Sequence, residues 1–452
     1  LDLGAELIHG GETSLYRLAK EKGWEMEELI SLAQGDGGPI AADSNDGFGL
    51  FYLGGEKRML AMDSKDPDFV HLNKYFDSLG DLWPDMKLQT GPSGTERSSE
   101  SRPLSLRDGL EGAGVGETMM GVAIAGYANT VGAALEDTGL HGTCFLQHEW
   151  DVDGDGTFVL KDSLGKVVEE LYAGLESCTQ TNWPVATIKY GGEEEGGVTV
   201  TSRDGRVETG THVVSTLPLS VLKDGDVKFW PSLPKAKLTA FRRMKMCNVA
   251  KVILKFDRAA LPPLLHGCVC SESFIPEFWF RHLPNIPEGG YTCLAVGFAA
   301  GPPADAVSAL APEEALQKAL DQLDDMFRGR RWLEGGGCSG NGDWETEKTG
   351  GQSQGSTTEG DGGDDAVDHD GGGEAMALPS ASYVGGLVHD WAEEPFVRGG
   401  YCYPGLDFDE HTHGHAAAPV DGKLFFAGEH TNTPTGMTVH AALDSGERYG
   451  VG

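Results

Sequence analysis

Residues 423–450, KLFFAGEHTNTPTGMTVHAALDSGERYG, constrain the fold more than any other stretch. An apolar run enters a glycine turn at Gly428 and Glu429, and a helix-periodic segment begins near Thr438. A buried strand that delivers its last residues to a loop and then a helix is the arrangement in which open α/β sheets bind cofactors. The free N–H groups at the helix start suit a negatively charged oxygen, and Glu429 can accept hydrogen bonds from a chain of hydroxyls. The same residues also fit a carboxylate that caps a helix with no ligand.

The rest of the chain alternates strands and helices. SLYRLAKEKGW and MEELISLA have helical spacing, with Thr13 or Ser14 as the cap of the first. GGVTVTSRDGRVETGTHVVSTLPLSVL reads as a hairpin turning at Asp204 and Gly205, then a buried strand ending at Thr216, Leu217 and Pro218. A helix opening near Pro234 precedes the strand NVAKVILKF. In the last helix Val439, Ala442, Leu443 and Gly446 share a face. This mixture predicts an α/β (α+β) enzyme-like architecture, and 452 residues suffice for a large core and two or three domains.

Charge and cysteines narrow the class. A net charge of −35 argues against a nucleic-acid partner and favours attraction of cations. Eight scattered cysteines form no CxxC pair and no disulfide framework, so no metal site is expected and a reducing, cytoplasmic compartment is mildly favoured. No apolar run approaches the roughly 18 to 20 residues that span a bilayer, so no membrane association is expected.

Two polar stretches stand apart. Glu334 to Glu374 holds 14 glycines, 11 acidic residues and one lysine in 41 residues, and reads as a disordered insertion. A second break covers Gly91 to Pro103. DVDGDGTFVLKD, Asp151 to Asp162, satisfies most of a calcium-loop pattern, but Asp162 is too short for the usual bidentate glutamate and TFVL looks like a strand. An acidic surface turn is the expectation there.

Five segments, in order, carry a family resemblance. LDLGAELIHG resembles the "LGA.WIHG" segment of polyamine oxidases, HVVSTLPLSVLK resembles "VIVTVPLGVLK", and NVAKVILKFDR resembles the strand with the active-site lysine. WAEEPFVRGGYCYPG resembles "W..DP...GSYS", and the 424–450 stretch resembles the C-terminal flavin motif. The chain thus resembles the FAD-dependent amine oxidases: polyamine and spermine oxidases, monoamine oxidases and lysine-specific histone demethylases.

The resemblance implies roles residue by residue. Lys251 falls where the family lysine holds a water against flavin N5; without the family it would read as an exposed lysine on an alternating strand. Glu429 matches the ribityl-binding glutamate, following Gly428, and Thr438 with Val439 match the helix start at the flavin pyrimidine edge. Thr216 and Pro218 match the strand end packed on the cofactor, Val185 the residue whose backbone meets adenine, and Gly4 and Ala5 backbone contacts to the flavin. Tyr401 matches an aromatic wall beside the amine, with Trp391 and Gly400 on the same approach. His9 matches the histidine of the "IHG" signature at the substrate tunnel, beside the bland reading of a satisfied turn histidine.

Departures matter. Thr435, Gly436 and Met437 replace a stretch that usually holds an aromatic wall, and Glu6 replaces a common Trp or Asn. Where monoamine oxidases attach FAD through a cysteine, this chain has Tyr401, with Cys402 one position later, so FAD is expected to be non-covalent. The G-x-G-x-x-G fingerprint of a dinucleotide-binding βαβ unit is missing; GAGVGE at Gly112 fails the spacing. The family places that unit before the "LGA.WIHG" segment. A Rossmann-like domain is therefore expected to be N-terminally incomplete here, and this polypeptide alone to bind FAD poorly.

By resemblance, an amine of polyamine type passes a hydride equivalent to flavin N5, the imine hydrolyses, and oxygen reoxidises the flavin to give hydrogen peroxide. The expected FAD-binding part comprises residues 1–45, 155–247 and 418–452, with a mixed-sheet substrate part over 46–154 and 248–417. The alternatives are an amino-acid oxidase or polyene desaturase-like enzyme of the same fold, a lysine demethylase-like protein, or an inactive truncated homologue.

Overall fold

The computed structural model describes residues 2–29, 48–62, 64–90, 102–150, 156–191, 197–257, 261, 265–286, 290–328, 331–332, 338–339, 377–433 and 436–450. Its largest element is a seven-stranded sheet in the order Tyr383–Asp390, Val249–Phe256, Gly290–Ala300, Glu277–Ile286, Leu265–Ser271, Phe48–Leu53, Arg58–Ala61. All neighbours are antiparallel except Leu265–Ser271 with Phe48–Leu53.

Strand alternation gives this sheet two different faces. Ala250, Val252, Leu254 and Phe256 point to one side, where Ala315, Ala319, Leu323 and Met326 of the helix Pro312–Phe327 cover them. Each large side chain so buried stabilises by about 1.5–3 kcal/mol. The opposite side carries Lys251, Phe298 and Glu277 in one cross-strand row and faces the N-terminal segment. The helix Pro312–Phe327 is tied to the chain's return: Asp324 Oδ1 accepts from Ser380 N at 2.9 Å.

A second layer holds a four-stranded sheet in the order Lys228–Trp230, Val185–Lys189, Val198–Ser202, Val207–Gly210, and a parallel pair, Leu424–Phe426 with Val213–Ser215. Its apolar cluster is continuous with the helices Leu79–Thr90 and Leu140–Trp150 through residues such as Phe426, Phe241, Trp83 and Leu146. The hairpin turns at Gly205, whose φ of 89° suits glycine. Thr13 caps the helix Ser14–Glu21, and Pro234 precedes the helix Lys235–Arg243, as expected.

Two local expectations need correction. Met26–Leu29 is a strand, paired with Thr157–Leu160, which is also flanked by Leu7–His9. Tertiary pairing here overrides the helix propensity of Met, Glu and Leu. The helix Val439–Gly450 forms as expected, with Val439, Ala442, Leu443 and Gly446 on one face; its buried residues, His440, Ala441 and Ser445, lie elsewhere on it. Gly428 N donates to Ser445 Oγ at 2.7 Å on the buried side. The strand Val213–Ser215 is only partly buried, with Val214 47% exposed.

Other expectations fall partly outside the described residues. These are most of Glu334–Glu374, where Cys338–Ser339 alone is described and pairs with Arg331–Trp332, most of Gly91–Pro103, and Asp151–Asp155 of the calcium-like stretch. A helix, Leu140–Trp150, leads into the last of these and the strand Thr157–Leu160 leads out. Among the described residues no group of three His, Cys, Asp or Glu could hold a metal, and no helix is long and apolar enough to cross a membrane.

Candidate active site

Lys251 is 4% exposed, although its strand places it on the face opposite the apolar core. Its Nζ donates to the Asp2 carbonyl at 2.8 Å and to Glu6 Oε2 at 3.0 Å. Glu6 Oε1 accepts from Arg281 Nη2 at 2.7 Å and Nε at 3.1 Å. Burial alone would raise the Glu6 carboxyl, but the Lys251 and Arg281 cations more than reverse it and hold the group below the usual carboxylate range. The site thus contains a buried Lys–Glu–Arg cluster with one net positive charge.

Glu277 lies in the same row, opposite Phe298, which is in turn opposite Lys251. Asn129 Nδ2 donates to Glu277 Oε2 at 3.2 Å, and Asn129 Oδ1 accepts from Ala300 N at 2.8 Å. Burial pushes this carboxyl up to about 7, against the weaker pull of its hydrogen bonds.

Aromatic residues wall the same face. Trp391 Nε1 donates to the Leu3 carbonyl at 3.0 Å, and its ring lies so close to Gly4 that an added Cβ there would sit 3.1 Å from Cζ2. Tyr401 donates its hydroxyl to the Thr130 carbonyl at 2.6 Å and packs, with Phe298 and Trp391, against Cys247, Val249 and Ala300. Gly400 donates its N–H to the Cys247 carbonyl, and a side chain at that position would collide with Val249. Lys251, Gly4, Trp391 and Tyr401, predicted from separate segments, therefore come together.

The expected cofactor positions follow the second layer. Glu429 accepts from Met437 N at 3.2 Å and from the Cys402 thiol at 3.0 Å, and burial raises its carboxyl. Those two weak partners leave carboxylate capacity for hydroxyl donors. Gly428 adopts φ 131°, where a side chain would meet the His430 ring. Thr438 Oγ1 accepts from Ala441 N at the start of the Val439–Gly450 helix. Ser215 Oγ is buried without a hydrogen-bond partner among the described residues, next to Thr216, which is exposed, and three residues before Pro218, which precedes the helix Leu219–Asp224. Val185 starts its strand opposite Ser202, and Ala5 is exposed. A buried hydroxyl with no partner among the described residues and a carboxylate with spare acceptor capacity fit a polar cofactor rich in hydroxyls.

His9 is placed differently. Its ring stands edge-on to Trp150 at 6.1 Å, and Trp150 in turn to His440 at 6.4 Å. Burial lowers the His9 imidazole to about 4, so it is neutral at physiological pH.

Arg281, Glu277 and Asn129 were not anticipated as site residues. The signal existed: in EFWFRHLPNI, Glu277 and Arg281 are charges four apart on one face of an apolar strand whose Phe278 and Phe280 fill the core.

A model of the flavin-containing amine oxidoreductase family matches residues 1–366 and 374–449. The chain belongs to this family. It is 25% identical over 303 residues to lysine-specific histone demethylase 1 homolog 3 of Oryza sativa subsp. japonica, covering 66% of this chain but 31% of that protein. To polyamine oxidase 2 of Arabidopsis thaliana it is 25% identical over 250 residues, 55% of this chain and 40% of that one. Among solved structures, wild-type putrescine oxidase bound to putrescine matches with a TM-score of 0.69 at 15% identity, over 99% of this chain and 87% of that one. The fold is that of the FAD-dependent amine oxidases.

Proposed function

We propose that the protein is an FAD-dependent amine oxidase that acts on a polyamine-type amine. The observation that carries this reading is the buried Lys251, held between a backbone carbonyl and a carboxylate on a face walled by Phe298, Trp391 and Tyr401. A lysine buried at this cost, among aromatic side chains and beside the predicted cofactor positions, has the character of a functional group rather than a surface charge.

FAD, when bound, supplies the two-electron acceptor that takes hydrogen from the amine α-carbon and passes the electrons to oxygen as hydrogen peroxide. The chain's own residues do the positioning. Glu429, Thr438, Val439 and the backbone around Gly4, Ala5 and Thr216 would hold the cofactor, without a covalent link. Trp391, Tyr401 and Phe298 exclude water and orient the amine carbon, while Lys251 keeps an N–H donor fixed beside the reacting groups. The overall acidity favours a cationic substrate. The domain division at 1–45, 155–247 and 418–452 against 46–154 and 248–417 belongs to this proposal.

Anaerobic mixing of the FAD-loaded protein with putrescine, spermidine or spermine tests it: the flavin absorbance bleaches, and air restores it with one peroxide per amine. A methylated lysine peptide is the second arm, suggested by the demethylase relatives. Bleaching by that peptide and by no polyamine would overturn the polyamine reading.

A further inference from the structure

The Lys251 ammonium has three N–H donors. Two are spoken for: one goes to the Asp2 carbonyl and one to Glu6 Oε2. With two corners of a tetrahedral group fixed, the direction of the third follows. Glu6 itself is held, because its other oxygen accepts two bonds from the planar Arg281 fork. The three side chains are 5%, 11% and 17% exposed. Neither Lys251 nor Arg281 tolerates burial beside the other cation without the carboxylate between them.

We infer that Glu6, held between Lys251 and Arg281, is a positioning residue for amine oxidation. It acts through Lys251 by setting the direction of the N–H that has no partner among the described residues, and Arg281 braces Glu6 in turn. This rests on the amine oxidase reading above. A purely structural ion pair would need only charge at position 6; positioning also needs reach. Aspartate keeps the charge and is one methylene shorter, so it cannot span Lys251 and Arg281 at the present distances, while glutamine keeps the reach and loses the charge.

The test is a double-substitution cycle on the FAD-loaded protein with E6D, E6Q, K251M and the two doubles. Two quantities are read: the rate of anaerobic flavin bleaching with its half-saturating amine concentration, and the flavin midpoint potential. E6D is expected to slow bleaching at saturating amine by about tenfold or more with half-saturation within about threefold. In the K251M background the same change is expected to alter the rate by less than about twofold. The potential is expected to respond to E6Q when Lys251 is present and not when it is absent. Wild-type bleaching by E6D and E6Q, or an equal effect with and without Lys251, would overturn the inference. If E6Q retains no flavin, E6D and R281K carry the same cycle. If no amine bleaches the wild-type flavin, the oxidase reading fails instead, and the midpoint potentials still decide the role of Glu6.

Discussion

Lys251 and Glu277 stand two strands apart on one face of the seven-stranded sheet, each directly opposite Phe298. Roughly 10 Å of sheet therefore separates a paired cation from a carboxyl that burial makes a weak acid. An unfolded glutamate titrates near 4.5 and the folded Glu277 near 7. Between those values the folded protein keeps a proton that the unfolded chain has released, so stability falls as pH rises through this window and levels off above it. The loss is on the order of 3 kcal/mol. In E277Q this contribution disappears: urea unfolding from pH 5 to 8 gives similar stability to wild type at pH 5 and a more stable variant at pH 8. Parallel slopes for the two proteins would show that Glu277 is not the group responsible.

K251M is expected to keep the fold, because Glu6 retains Arg281 as its counter-charge. The rate of amine-dependent bleaching should drop by about 100-fold, as when one oriented donor is lost from an active site. Stopped-flow absorbance checks this, with the flavin content of the purified protein as the control. A variant within a factor of two of wild type would remove Lys251 from the reaction.

Glu429 should govern cofactor affinity rather than turnover. E429Q exchanges a charged acceptor for a neutral one, a difference of about 1.5–3 kcal/mol, so FAD affinity is expected to fall by about tenfold or more. Quenching of FAD fluorescence on titration measures it. Unchanged affinity would mean that the carboxylate serves Cys402 and Met437 alone.

Acid should destabilise the protein through its buried imidazoles. His430 is lowered from 6.5 to about 3 and His413 to about 4, mainly by burial. Their neutral forms are accommodated in the fold, so the stability is fully present above the unfolded value and is lost as pH falls from about 6.5 toward 4. At pH 5 His430 accounts for about 2 kcal/mol. H430F is expected to flatten the decline of melting temperature between pH 6.5 and 5. The slope is the readout, because repacking against Phe241 shifts the absolute value.

Local signals were legible in the sequence. The alternation of Val249–Phe256 placed Lys251 on the face away from the core, Gly205 marked the hairpin and Pro234 the helix start. What escaped notice depends on residues far apart. Met26–Leu29 is a strand because Thr157–Leu160 pairs with it, and nothing within its own four residues requires that. Glu6 read only as a departure from a motif, because Arg281, 275 residues away, gives it meaning. The burial of Lys251 likewise comes from Asp2 and Glu6, not from its own strand.

The bond between Asp324 and Ser380 has a consequence for how this chain can vary. It joins the end of the helix that backs the Lys251 strand to the turn that leads into Tyr383–Asp390, so everything between Arg328 and Ala377 departs from and returns to one spot. Loop-closure entropy rises only logarithmically, about 0.6 kcal/mol for each doubling in length. A change in the number of residues between Arg328 and Ala377 is therefore expected to leave the register of the seven-stranded sheet intact.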